Sequence, residues 1–328
     1  MSANYEPRSI AIIGAPMDLG SASRGVDMGP SALRFALLAE ELRQLGHSVE
    51  DFGDVSIPRR ETVYRESREA FPAIATACWQ IAQLTASAVR SGKVPLVLGG
   101  DHSIAAGSVA GVATAYEERG ERIGLIWLDA HGDLHTPKSS ESGNVHGMPL
   151  AHIMGHGDER LSRISTRNPA VDSAHVALVG IRDLDPGERD HVRDWNIAVH
   201  TMREVDERGL RAAMADAIKR ACDGTAGFHL SVDADWVDPL EAPGVGTPVR
   251  GGATFREAHL AMELAHDSGR LLAVDFVEVN PILDVHNRTG ELGADLIASA
   301  FGLRVLDASP AGIQRDIRHS LDHLKKWQ

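Results

Sequence analysis

The chain has 328 residues, 43% of them apolar and 24% charged, and a formal net charge of −13 with histidine neutral. Those proportions are ordinary for a globular chain, and the acidic balance weighs against a general nucleic-acid or membrane-surface binder while permitting cationic ligands. No stretch reaches the ~18 apolar residues of a membrane span, and the N-terminus lacks the basic-then-apolar layout of a secretory leader. Only two cysteines occur, Cys78 and Cys222, without metal-type spacing, which predicts small core residues in a reduced, cytoplasmic setting.

In chain order, I-A-I-I-G (10–14) predicts a buried strand. P-S-A-L-R-F-A-L-L-A-E-E-L-R-Q-L-G (30–46) predicts a helix, with proline at its start and glycine at its end. A second helical pattern covers 73–90, and V-P-L-V-L-G-G (94–100) and I-G-L-I-W-L (123–128) read as strands. The Gly/Ser-rich segment 132–147 is long for a connection, which marks a functional loop. A strand over 175–181, a helix over 211–221 and strands over 228–232 and 271–277 complete the pattern. Strand–helix alternation predicts an α/β fold with a mostly parallel sheet covered on both faces. With no low-complexity linker and no repeat, a single domain over 1–328 is expected.

Ligands of open α/β sheets collect at the carboxyl ends of the strands. After 94–100 come Asp101, His102 and Ser103; after 123–128 come Asp129, His131, Asp133 and His135. After 228–232 come Asp233, Asp235 and Asp238, and after 271–277 comes Glu278. Carboxylates converging on one edge repel one another, and no Lys or Arg is interleaved in D-A-H-G-D-L-H or S-V-D-A-D-W-V-D-P. A divalent metal is the economical counter-charge, and alternate residues of D-x-H-x-D and D-x-D face one side of an extended strand end. The ligand set is His102, Asp129, His131, Asp133, Asp233 and Asp235. Four carboxylates, two imidazoles and no thiolate favour manganese over zinc. Two divalent ions against four ionised Asp and one hydroxide leave the site near −1, suited to a cationic substrate. The bland readings are a solvated D-x-D turn, and Asp101 or Ser103 acting only as a helix N-cap.

Four blocks then carry a family likeness: G-G-D-H-S (99–103), D-A-H-G-D-L-H-T-P (129–137) running into S-G-N-V-H-G (142–147), S-V-D-A-D-W-V-D-P (231–239) and E-V-N-P (278–281). In this order, and with I-I-G-A-P-M-D-L-G and G-P-S-A-L-R before them, they resemble the ureohydrolase (arginase–agmatinase) family, on its arginase side. The resemblance implies a three-layer αβα sandwich with a roughly eight-stranded sheet and two Mn²⁺ per subunit. It implies hydrolysis of L-arginine to L-ornithine and urea by a metal-bridging hydroxide, and a homo-oligomer, trimer or hexamer. One ion would take His102, Asp129, Asp133 and Asp233, the other Asp129, His131, Asp233 and Asp235, with Asp133 also orienting the hydroxide. Ser140, Ser142 and Asn144 would hold the amino-acid end of the substrate, and Asp185 its α-ammonium. Glu278 would sit under the guanidinium, Thr247 would bound that pocket, and His146 would shuttle protons.

Two positions depart from the family pattern. His135 stands where asparagine is usual and is expected to bind substrate. Trp236 replaces a small residue and would either narrow the pocket or pack against a neighbouring loop. His152 and His156 are four apart and read as surface or core residues, and His319 and His323 as solvent-facing. The competing readings are a ureohydrolase for agmatine, guanidinobutyrate or a modified arginine, and a metal-stabilised assembly protein without activity.

Overall fold

The computed structural model describes residues 6–63 and 70–304; His319 and His323 lie outside them. Eight strands form one sheet: β1 Ser9–Ala15, β2 Ser48–Asp54, β3 Val94–Gly99, β4 Gly124–Leu128, β5 Val176–Ile181, β6 Ala198–Thr201, β7 Phe228–Asp233 and β8 Leu271–Val277. Their order is β2-β1-β3-β8-β7-β4-β5-β6, and every pairing is parallel. The helices are α1 Gly29–Phe35, α2 Leu38–Gln44, α3 Arg60–Val63, α4 Phe71–Arg90, α5 Ala105–Glu117, α6 Pro149–Ile153, α7 Glu159–Ser162, α8 Pro186–Asp194, α9 Met202–Arg208, α10 Leu210–Ala221, α11 Phe255–Asp267 and α12 Arg288–Ala300. Among the described residues, no helix is long and apolar enough to cross a membrane.

The near-continuous apolar strands follow from burial on both faces. Ile10 and Ile12 of β1 and Ile126 and Leu128 of β4 pack with α1, α2 and α9–α12. The alternate residues face the other layer: Ile13 meets α4, while Leu125 and Trp127 meet α4, α5 and α6. Each such side chain contributes about 1.5–3 kcal/mol through burial. The α4–α5 contact is close because Gly107 offers no side chain; a Cβ there would lie 2.2 Å from the Cys78 carbonyl oxygen. Cys78 is a buried free thiol whose pKa burial pushes up, and Cys222 is half-buried and free. Cys78 is the core residue expected, whereas Cys222 packs against the core from its margin.

Two strands lack a sequence signature, and both are sheet edges. β2 reads S-V-E-D-F-G-D and is largely exposed, and β6 has only four residues. An edge strand with one neighbour needs no apolar run, and charge there discourages stray pairing. The helix expected over 30–46 is broken at Leu37, which takes φ +61°. In one unbroken helix Leu33 and Leu38 would project about 140° apart; the break lets both enter the same core.

Strand order positions the site. β3, β8, β7 and β4 are adjacent at the centre of the sheet. β3, β8 and β4 lead into His102, Glu278 and Asp129, and β7 ends in Asp233, so four segments far apart in the chain open onto one edge.

Candidate active site

At the end of β3, Asp101 and His102 part company. Asp101 turns back: its carboxylate accepts from Gly20 N (2.7 Å), Ser103 N (3.1 Å) and the Ser103 hydroxyl, and its own N–H donates to Met17 O (2.7 Å). It caps the helical turn and pins the 17–20 loop. A Cβ on the preceding Gly100 would lie 1.9 Å from Met17 O, so this approach requires glycine. His102 enters the cluster. Its ring stacks on Trp127 (centroids 4.0 Å, planes 8° apart) and its Nε2 meets Ser231 Oγ at 2.9 Å.

The other nitrogen, His102 Nδ1, lies 3.1 Å from Asp129 Oδ2, from Asp133 Oδ2 and from Asp233 Oδ2. His131 Nδ1 lies 3.4 Å from Asp129 Oδ1 and 3.1 Å from Asp235 Oδ2. Two donor groups therefore adjoin, His102–Asp129–Asp233 and Asp129–His131–Asp235, and Asp129 turns one oxygen to each. Backbone and side-chain bonds hold the carboxylates. Asp129 accepts from His131 N (2.7 Å) and Trp127 Nε1 (3.0 Å), and Asp233 accepts from Asp235 N (2.8 Å). Asp235 accepts from the Thr247 hydroxyl at 2.9 Å. Asp133 and Glu278 both take left-handed backbone angles, φ +53° and +62°. Such angles cost a non-glycine residue free energy and persist where surroundings enforce them.

The electrostatics follow from burying so many carboxylates. Asp233 is driven well above the usual carboxylate range by burial and by its neighbours Asp235 and Asp129. Burial and Asp129 push Asp133 up to about 7, and Asp235 rises for the same reasons. Burial opposes charge on the imidazoles, yet facing carboxylates raise His131 to about 12 and His102 well above its usual value. Asp129 alone is held low: burial would raise it, but His102 and His131 outweigh that. The cluster draws in positive charge.

These donors fit divalent cations. Atoms about 2.1 Å from a shared ion and at right angles to one another lie roughly 3 Å apart, as these do. Both imidazoles turn Nδ1 inward, and the outer nitrogen of His102 is held by Ser231, which fixes the ring as partners of ligating histidines do.

Glu278, at the end of β8, is buried beside this cluster. Its Oε1 accepts from His102 N (2.9 Å) and faces His146 Nδ1 (3.1 Å). His146 N donates to Gly20 O (3.1 Å), so the loop pinned by Asp101 also places His146. Burial disfavours the His146 cation, but Glu278 raises its pKa to about 9.

From the cluster a cleft of about 330 Å³ opens outward, lined by His131, Asp133, His146, Asp233 and Thr247 at depth. Its outer end is lined by His135, Ser140, Ser142, Asn144 and Asp185. His135 Nε2 meets Asp185 Oδ2 at 2.9 Å, and His135 Nδ1 meets Ser139 Oγ at 3.3 Å. The Ser140 and Ser142 hydroxyls accept from Gly143 N (2.9 Å) and Asn144 N (3.2 Å), which shapes the loop. Of the expected residues, His102, Asp129, Asp235 and Glu278 lie behind the cleft wall, in contact with Asp133, His131, Thr247 and His146, and the others line it.

Trp236 does not narrow the cleft. It is fully buried in the core, and a Cβ on Gly180 (φ +93°) would lie 2.0 Å from its Nε1. Asp238 caps its own loop, accepting from Leu240 N, Gly251 N and Gly252 N. His152 is buried with Nδ1 on Met148 O (2.7 Å), and His156 stacks on Trp195. Three participants escaped the sequence reading. Glu188 is buried and accepts from Leu134 N and Asp185 N, both at 3.1 Å; the spacing D-P-G-E, an N-cap with Glu three residues on, was its signal. Arg182 donates to the carbonyls of Asp235, Trp236 and Val249, bracing the D-A-D turn. Ser139 bridges His135 and Thr136.

The sequence model of the Arginase family matches residues 8–302. A relative described as arginase from Bacillus caldovelox is 46% identical over 302 residues, covering 91% of this chain and 100% of its own length. One described as arginase from Bacillus subtilis (strain 168) is 45% identical, covering 91% of this chain and 99% of its own. The solved native Bacillus caldovelox arginase superposes with a TM-score of 0.87 at 47% identity, again over 91% of this chain and 100% of that one.

Proposed function

The chain belongs to the arginase family, and we propose that it hydrolyses L-arginine to L-ornithine and urea with two Mn²⁺ per subunit. The observation that carries this reading is one cleft with two joined donor groups and Glu278 at depth, and an amino-acid-sized set of polar side chains at its outer end. His102, Asp129, Asp133 and Asp233 would hold one ion, and Asp129, His131, Asp233 and Asp235 the other. When bound, such cations neutralise the carboxylates and acidify water, which supplies a nucleophile at neutral pH.

The chain's own residues do the rest. Glu278 accepts charge-assisted hydrogen bonds from the planar guanidinium and fixes its carbon for attack. Asp133 takes the proton of the attacking water and passes it toward the departing nitrogen. As the bond between the guanidinium carbon and the chain nitrogen breaks, that nitrogen leaves as the ornithine amine. His146, protonated at Nδ1 by its pairing with Glu278, returns a proton to the site. Thr247 keeps Asp235 aligned. At the outer end Asp185 faces the α-ammonium, while Ser142, Asn144 and His135 offer donors to the α-carboxylate, on a loop that Ser140 shapes.

A cytoplasmic setting agrees with two unpaired cysteines, and a trimer or hexamer is the assembly we expect. The test is urea release from arginine, agmatine and guanidinobutyrate with added Mn²⁺. Arginine is expected to be hydrolysed far faster; agmatine ahead of arginine would overturn the substrate assignment.

A further inference from the structure

Beside the cleft, Trp195 at the end of α8 is stacked against both His156 (centroids 3.8 Å, planes 4° apart) and His191 (4.1 Å, 10°). All three rings are half-buried and none lines the cleft. His191 Nδ1 nevertheless meets Leu134 O at 2.8 Å. A carbonyl only accepts, so Nδ1 carries the hydrogen. Leu134 lies between Asp133 and His135.

The peptide joining Leu134 to His135 is held at both ends. Its oxygen accepts from His191, and its N–H donates to Gly147 O at 3.0 Å. Rotation of that peptide would swing the His135 ring away from Asp185. The preceding peptide is held by other groups. The Asp133 carbonyl accepts from Leu150 N (3.2 Å) and Ala151 N (3.4 Å), and Leu134 N donates to Glu188 Oε1. Loss of the His191 bond therefore frees the turn toward His135 and leaves Asp133 in place.

We propose that His191, steadied by its stack on Trp195, is a positioning residue that sets His135 for the amino-acid end of the substrate. This rests on the reading that His135 and Asp185 form that end of the cleft. His191 touches neither the donor cluster nor the cleft, so its effect should fall on substrate affinity and spare the chemical step. A disturbance of packing would instead lower kcat and metal content.

The experiment compares His191→Phe, which keeps a ring on Trp195 without a donor, with His191→Asn, whose amide nitrogen can reach the place of Nδ1. In the Mn²⁺-loaded protein, His191→Phe is expected to raise KM for arginine roughly three- to tenfold, the effect of one neutral hydrogen bond. Unchanged kcat and metal content, and a KM in His191→Asn returned toward the parent value, complete the expected result. Amide hydrogen exchange at His135 should be faster in His191→Phe than in His191→Asn, while exchange at Leu134, whose N–H is held by Glu188, should be the same in both. A parent-like KM in His191→Phe, or a joint fall of kcat and metal content, overturns the proposal. If the parent released no urea from arginine, the proposed activity would fail; equal exchange at His135 in the two variants would then separately sink the role of His191.

Discussion

The two ends of the cleft are built differently. At depth, the donors sit directly on the ends of four adjacent central strands, almost all of them buried, and the carboxylates of Asp129, Asp233, Asp235 and Glu278 are tied by further bonds. At the outer end, the polar groups ride on the 132–147 loop and the start of α8, and the Asp185 side chain is 68% exposed. The contrast teaches a division of labour. Sheet topology places the donor cluster, whereas the outer polar side chains are placed by a loop and a helix start; on the proposed function, the first would carry the chemistry and the second would set which head group is accepted. The one departure from the family pattern that reaches the cleft, His135, lies at the outer end; Trp236, beside the deep end, was absorbed into the core by Gly180.

Perturbing the deep end should have the largest effects. Asp233→Ala is expected to abolish urea release and metal retention together; full activity with two ions bound would show that the deep end is not a metal cage. His146→Asn should keep its metal and lose roughly 10²–10⁴-fold in kcat, the range for a lost proton-transfer group. Elemental analysis beside steady-state kinetics separates the two cases, and a parent-like kcat would remove His146 from the chemistry. At the outer end the effects should be milder. His135→Asn is expected to keep the preference for arginine and shift mainly KM, roughly two- to tenfold; an inactive variant with intact metal would mean that the division fails at His135.

The smallest effect concerns the metal-free protein. Asp133, raised to about 7, and His131, raised to about 12, both bind protons more readily folded than unfolded. The histidine contribution is fully present below its unfolded pKa and fades as pH rises. The raised carboxyl destabilises the fold once ionised, and protonation relieves it. Both signs make the metal-free Tm higher near about pH 5.5 than near about pH 8. With Mn²⁺ bound the order should reverse, because protons displace the ions. Thermal melts with and without chelator would show this; the same pH trend in both forms would contradict it.

Much of the deep end was legible in the chain, because strand-end residues inherit their place from the apolar run before them. Asp129, His131, Asp133, Asp233 and Asp235 each follow such a run at once. What one sequence does not encode locally is strand order: nothing in V-P-L-V-L-G-G says that β8 lies beside it. The edge strands β2 and β6 and the break at Leu37 were hidden for related reasons, since exposure or tertiary packing overrode local pattern. Second partners were hardest to read. Ser231 behind His102, Arg182 behind the D-A-D turn and His191 behind Leu134 act across about 50 residues or more, through contacts that only the folded chain creates.

The most direct test is anomalous diffraction at the manganese edge from crystals of the Mn²⁺-loaded protein. Two peaks are predicted roughly 3.5–4 Å apart, one beside His102 Nδ1 and one beside His131 Nδ1, with Asp129 reaching both. A single peak, or ions bound elsewhere while these two rings face empty space, would contradict the account.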